Sequence, residues 1–368
     1  MTAARETNDI QVPDDPILLE RMMEDLKHCD DLYKPTNYWS YYEKLIMPEL
    51  KHQGLEDFRR RCDSMLEPFC GIDLLLKGRI RVKGTFRGVH RINTLLNRLV
   101  NGLPFLVMEL SGGVPLWITP YFYWHVKEKF DKIGLALSQC PASRFGNPED
   151  LQEIDGGLWS TMHLQYCALF ADAARYIGFK PDSVVCELGA GMGRNIEVMA
   201  HLFKEATFLI FDIPPQLYVS NQYLQKVFGS RVLPYSEAIS LTPDKEGKIA
   251  GSIRGRIIIL PSWRMPDWSG TKVDIFWNSA SFQEMEPDVV SNYLRLVCNM
   301  KPEWIYINAR PKGCSWGEWK PGKGGTKTPV LEEHYIQALR DRYSLQTAYP
   351  SDFFMRTKDY ESYVFRRQ

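Results

Sequence analysis

Residues 183–203, SVVCELGAGMGRNIEVMAHLF, pass from a short β-branched run through three alternate glycines into an apolar helical pattern. The first six residues read as a buried strand, and those after Gly193 as a helix with apolar positions three and four apart. Between them, Gly189, Gly191 and Gly193 allow a tight turn. They let the backbone approach a ligand that a Cβ would hold away, and the helix beyond offers free N–H groups. The spacing is G-x-G-x-G. The G-x-G-x-x-G fingerprint that seats a dinucleotide pyrophosphate is not met, so a nicotinamide-dependent oxidoreductase is disfavoured.

Outward from this turn the alternation continues. A helix over 158–179 precedes it, and strands at 208–213, 256–260, 273–280, 304–309 and 362–367 follow. Helices at 215–228, 287–300 and 332–343 lie between or before them. Such alternation predicts an α/β fold, a doubly wound and mostly parallel sheet. Residues 236–254 read as a surface insertion. Asp212 ends the strand after the glycine turn, about twenty residues on, where a carboxylate can accept from both hydroxyls of a ribose.

These residues resemble the class I S-adenosylmethionine-dependent methyltransferases, whose first motif, E/D-x-G-x-G-x-G, is matched in full by Glu187–Gly193. The resemblance covers 155–368 and implies a seven-stranded Rossmann-like sheet with S-adenosyl-L-methionine as cofactor. It implies that the turn (Glu187, Gly189, Ala190, Gly191, Gly193, Asn195) takes the methionine part of the cofactor. Asp212, with Ile213 and Gln216 beside it, would bind the ribose, and Ser262 and Trp263 would flank the adenine. Two further blocks, DIPPQLYVSNQYL (212–224) and FWNSASFQEM (276–285), are similar to the sugar O-methyltransferases of bacterial polysaccharide and glycosylated natural-product pathways. That narrower resemblance implies a sugar hydroxyl as acceptor. Composition shows no sugar.

In a doubly wound sheet ligands gather outside the carboxyl ends of the strands, so the segment after the fourth strand faces the cofactor. A sugar hydroxyl is a weak acid whose proton must leave as the new bond forms, which makes a positioned base useful. Glu284 is the candidate base, and Ser281, Gln283 and Asn278 are candidate orienting groups, Asn278 on the cofactor side. Ser281-Phe-Gln-Glu284 reads equally well as a capping box, with the carboxylate bonded to the Ser281 backbone. His163 is the alternative base, while His125 and His334 are less well placed. The acids Asp274, Glu284, Glu286 and Asp288 stand singly, so no metal is assigned.

For acceptor binding, Trp316 and Trp319 lie with Arg310, Lys312, Lys320 and Lys323 in a glycine-rich loop after the fifth strand. Flat aromatic faces suit a pyranose, and the cations suit a phosphate; a plain solvated loop is the equal alternative. Tyr123, within the run Tyr121 to Trp124, lines either an acceptor pocket or a core. Arg79, Arg81, Lys83, Arg87 and Arg91 form a basic strip that reads more simply as an exposed face.

The chain has 368 residues, with 45 Lys and Arg against 45 Asp and Glu. A neutral chain gives no global pull towards nucleic acid or an anionic membrane, and neither is expected as a partner. The first twenty residues lack a signal-peptide pattern, so a cytoplasmic protein is expected. Eight cysteines without C-x-x-C pairing indicate neither a zinc cluster nor a disulfide framework. The expected organisation is residues 1–150 as an accessory, acceptor-binding region, helical then mixed, and 151–368 as the cofactor-binding domain; a homodimer is compatible with the sequence. The same glycine turn would also serve a C- or N-methyltransferase of a non-sugar metabolite. A silent scaffold is a third reading, and the intact glycines and Asp212 count against it.

Overall fold

The computed structural model describes residues 10–61, 64–66, 118–244, 246–313, 324–351 and 360–368. Two N-terminal helices, α1 (Pro16–Lys27) and α2 (Asn37–Gln53), precede α3 (Ile118–Lys132). A small hairpin of β1 (Gln152–Ile154) and β2 (Gly157–Trp159) leads into α4 (Thr161–Ala174). The alternating part then runs β3 (Val184–Leu188), α5 (Arg194–Leu202), β4 (Thr207–Asp212), α6 (Gln216–Phe228), β5 (Val232–Leu233), α7 (Tyr235–Ala238) and β6 (Ile257–Pro261). It closes with α8 (Met265–Trp268), β7 (Ile275–Ser279), α9 (Pro287–Met300), β8 (Trp304–Ala309), α10 (Glu332–Leu339), β9 (Tyr343–Pro350) and β10 (Glu361–Arg367).

Strands β3 to β10 form one sheet in the order β5-β6-β4-β3-β7-β8-β10-β9. It is parallel from β5 to β8, and β10 runs antiparallel to both β8 and β9. This is the doubly wound, mostly parallel Rossmann-like sheet expected from the sequence, with a helical N-terminal region before it. The strand count differs: among the described residues the sheet has eight strands where seven were expected, because the two-residue β5 adds an edge. The helix predicted over 332–343 also ends earlier, at Leu339, and Tyr343 opens β9. That strand alternates Tyr343, Leu345, Thr347 and Tyr349 with other residues, a period of two that the preceding helical run masks.

Period-two alternation also divides the core. Val185, Phe208, Ile210, Ile257, Ile259, Ile275, Trp277 and Tyr306 pack on one face of the sheet with α4, α5 and α6. Cys186, Leu209, Phe211, Ile258, Leu260, Phe276, Ile305 and Ile307 pack on the other with α8, α9 and α10. The first core also takes in Leu19, Met22, Trp39 and Ile46, so α1 and α2 share it with the sheet. Part-buried hydrogen bonds fasten this N-terminal stretch to α6. Tyr218 donates to Asp14 and accepts from the Asp15 N–H, and the Gln222 amide donates to the Pro13 carbonyl. The Tyr235 hydroxyl donates to Asp25.

Within the accessory region expected to turn from helical to mixed, the described stretch at 118–132 is helical, α3. Its aromatic run is divided by helical geometry: Phe122 and Tyr123 are buried, whereas Tyr121 and Trp124 are exposed. No helix among the described residues is long and apolar enough to cross a membrane.

Candidate active site

The chain order of the sheet reverses between β4-β3 and β3-β7, and a cleft opens there at the carboxyl ends of β3, β4 and β7. Its larger lobe, about 610 Å³, is lined by Gly189, Ala190, Gly191, Asn195, Asp212, Gln216, Ser279, Ala280, Ser281 and Glu284, with Trp39, Tyr166 and Tyr360 closing it. The second lobe, about 410 Å³, shares Trp39, Gly189, Asp212 and Ser281 and adds Tyr33, Ile213, Ser262 and Tyr293 among others.

The glycine turn makes one wall. Gly189, Gly191 and Gly193 all have positive φ, 76°, 58° and 91°, which side-chain-bearing residues rarely adopt. A Cβ at Gly189 would fall inside the Ser281 hydroxyl, so this glycine also lets the β7 segment close against the turn. Gly189→Ala is therefore expected to weaken cofactor binding at least tenfold and to lower the melting temperature, as calorimetry and thermal melts would show. Parental values in both would mean that the turn tolerates a side chain.

Asp212 ties this turn to the end of β4. One carboxylate oxygen accepts from the Gly191 N–H at 2.8 Å and the other from Ile213 N–H at 2.7 Å. A carboxylate has about four acceptor sites, which leaves two for a ligand's hydroxyls. Glu187, behind the turn, accepts from the Asn195 amide at 2.7 Å.

Burial pushes three carboxyls of this region up: Asp212 to about 7, Glu187 to about 8 and Glu284 to about 8. The charge of Asp212 adds to the rise at Glu187 and at Glu284. Unfolded, such groups titrate near 4, so the folded protein holds protons that the unfolded chain releases. Their contribution to stability is full below about pH 4 and is lost as pH rises towards 8. The melting temperature of the ligand-free protein should fall between about pH 5 and 8.5, and fall less steeply in Glu284→Gln. A melting temperature that rises over this window would show the carboxyls already ionised.

Several buried polar atoms here have no hydrogen-bond partner among the described residues: both amide atoms of Gln216, Asn195 Oδ1, Glu187 Oε2 and Ser279 Oγ. Buried polar groups are nearly always paired, so an orphaned cluster around one cleft is what a polar ligand would satisfy. S-adenosylmethionine, with its ammonium, carboxylate, ribose hydroxyls and base, matches this demand in kind. The positive-φ turn beside Asp212 supplies the close backbone approach.

Not every residue expected in the site is there. Glu284 lines the larger lobe, and the capping-box alternative is overturned: Ser281 makes no side-chain cap, and the Glu284 carboxylate accepts from the Trp39 indole N–H at 3.1 Å. Gln283 lies outside the cleft wall, its amide clamping the Arg310 N–H at 2.8 Å and the Tyr360 hydroxyl at 3.1 Å. Asn278 is wholly buried and bridges the Leu188 carbonyl to the Phe282 N–H. Both amides were expected to orient ligands; both hold the β7 segment instead.

His163 is buried behind the cleft, with its Nε2 at 2.8 Å from the Cys140 carbonyl, and it does not line the cleft. Burial lowers its pKa, so it stays neutral. Tyr123 is a core residue donating to Asp155 at 2.9 Å, away from the cleft. His125 stacks on Phe122, and His334 accepts from the Leu331 N–H at the start of α10. Gly193 caps α5 against Leu224, and Trp263 packs on the second core, so neither lines the cleft. Arg310 does not line either lobe; it sits 5.1 Å over the ring of Tyr360, which does. Trp316, Trp319, Lys320, Lys323 and the strip from Arg79 to Arg91 lie outside the described residues.

Cleft residues that were not anticipated include Trp39, Tyr166, Ser279 and Tyr360 in the larger lobe and Tyr33 and Tyr293 in the second. Ser279 stands inside the quoted FWNSASFQEM block and Tyr166 one helical turn after His163, so both were within reach of the motifs. Trp39 and Tyr360 carry no local signal.

No protein-family profile matches the chain, and no curated protein sequence matches it. Solved structures similar to it include a SAM-dependent methyltransferase from Aquifex aeolicus, at 14% identity and a TM-score of 0.34 over 53% of this chain and 87% of that one. Magnesium protoporphyrin IX methyltransferase from Synechocystis, solved with bound SAH, is 14% identical with a TM-score of 0.40 over 56% and 83%. Mitomycin 7-O-methyltransferase is 12% identical with a TM-score of 0.34 over 76% and 69%. Each likeness is partial and concerns the backbone alone.

Proposed function

We propose that this protein is an S-adenosylmethionine-dependent methyltransferase acting on a hydroxyl of a small-molecule acceptor, most narrowly a sugar or glycoside. The observation that carries the reading is the meeting, in one cleft, of the E-x-G-x-G-x-G turn, Asp212 and orphaned buried polar groups with the Glu284 carboxylate. The cofactor supplies an electrophilic methyl group on a sulfonium. Residues of the chain do the rest: Gly189, Gly191, Asn195 and Gln216 bind its polar parts, and Asp212 accepts from its ribose.

Glu284 takes the acceptor's proton as the oxygen attacks, and Ser281 and Ser279 offer hydroxyls to orient that oxygen. A base near its own pKa at working pH is efficient, and the raised carboxyl of Glu284 meets that condition. Trp39, Tyr166 and Tyr360 line the lobe with aromatic side chains, a residue type suited to the C–H face of a pyranose. The same aromatic walls favour a second reading, a C- or N-methyltransferase of a flat, non-sugar metabolite. Product analysis separates the two.

Calorimetric titration with S-adenosylmethionine and S-adenosylhomocysteine is the direct test. Micromolar binding of both, followed by transfer of labelled methyl to an oxygen of a sugar acceptor, is the expected result. Labelled methyl on carbon or nitrogen would select the second reading; binding of neither would overturn both.

A further inference from the structure

The proposed base is held from outside the α/β region, by α2. Trp39 Nε1 lies 3.1 Å from Glu284 Oε2, and Thr36 Oγ1 donates to the Glu284 backbone carbonyl at 3.1 Å. Trp39 borders both lobes and is 9% exposed, its ring fixed edge-on against Tyr38 at 5.3 Å and tilted against Tyr42 at 5.9 Å. An indole N–H is a donor only, so the Glu284 oxygen facing it accepts, and an ionised carboxylate accepts more strongly than a neutral carboxyl.

We propose that Trp39 is the positioning residue for Glu284: its N–H holds one carboxylate oxygen, fixing the orientation of the carboxylate in the cleft and favouring its ionised state. This rests on Glu284 being the base. Other groups acting on Glu284 are Tyr38 from α2, Asp212 from the end of β4, Arg310 after β8 and Tyr360 before β10. Asp212 opposes ionisation, while Trp39, Tyr38 and Arg310 favour it, and the indole has the largest effect among those three.

Trp39→Phe removes the donor and keeps an aromatic ring, and its two possible consequences have opposite signs. Loss of a hydrogen bond to the anion raises the Glu284 pKa; a merely structural role lets water in and lowers it towards the ordinary value. The test is a carboxyl-carbon NMR titration of the ligand-free, full-length protein carrying labelled glutamate, with the Glu284 resonance identified by its loss in Glu284→Gln. The expected result is a midpoint about one unit higher in Trp39→Phe than in the parent.

A calorimetric series with S-adenosylmethionine across pH 6–9 gives a second readout, in which ionisation of Glu284 favours the cationic ligand and the curve moves up in parallel. Should Trp39→Phe not fold, Trp39→His, which retains a ring N–H, is expected to hold the parental midpoint within about half a unit. An unchanged or lowered midpoint in Trp39→Phe, or a displaced one in Trp39→His, overturns the proposal. The two readings fail separately: full turnover in Glu284→Gln removes the base, whereas an unmoved midpoint beside a dead Glu284→Gln removes only the role of Trp39.

Discussion

Glu284→Gln should reduce turnover by about 10²–10⁴-fold, the usual contribution of a positioned base, while S-adenosylhomocysteine affinity stays close to parental. The substitution preserves length and keeps an oxygen to accept from Trp39 Nε1, so the contact that closes the cleft survives. What disappears is the capacity to take a proton. A second signature follows from the sign of the shift. Burial holds the carboxyl near 8, so kcat/KM should rise with pH along a limb governed by Glu284. That limb should be missing from the variant. Turnover near that of the parent, measured with the acceptor found by labelled-methyl screening, would return Glu284 to a purely structural role.

Asp212→Ala should weaken both S-adenosylmethionine and S-adenosylhomocysteine by roughly a hundredfold, since hydrogen bonds to a charged group contribute about 1.5–3 kcal/mol each. The loss has two sources. The ribose hydroxyls lose their acceptor, and the Gly191 and Ile213 N–H groups are left without the oxygens that now hold the turn to β4. Asp212→Asn separates them: it keeps one accepting oxygen and should show an intermediate loss. Thermal melts alongside calorimetry distinguish weakened binding from unfolding, and an unaltered affinity in Asp212→Ala would remove the ribose assignment.

The central strands were legible because each lies between helices and is buried on both faces, giving short continuous apolar runs such as VVC and RIIIL. The glycine turn was legible because only glycine serves its three positive-φ positions. Strand β9 was not: it is a sheet edge with exposed alternate residues, and it follows a helix after a short break. Within the site, the sequence identified a polar segment after β7 but not the direction of its side chains. Asn278 and Gln283 turn into the structure, Ser281 and Glu284 into the cleft, and that choice depends on Leu188 of β3, Arg310 after β8 and Tyr360 before β10. Trp39 was invisible for a stronger reason. A tryptophan in an amphipathic helix reads as core, and nothing near it names a carboxylate far along the chain.

The bond between Trp39 and Glu284 spans 245 residues. Closing so long a loop is entropically costly unless the intervening chain is already ordered, so this contact is expected to form late, after the sheet has assembled. The ability to catalyse would then be the last property the folding chain acquires. A polypeptide cut between its N-terminal helices and its sheet would keep the glycine turn and Asp212 yet leave the base without its anchor.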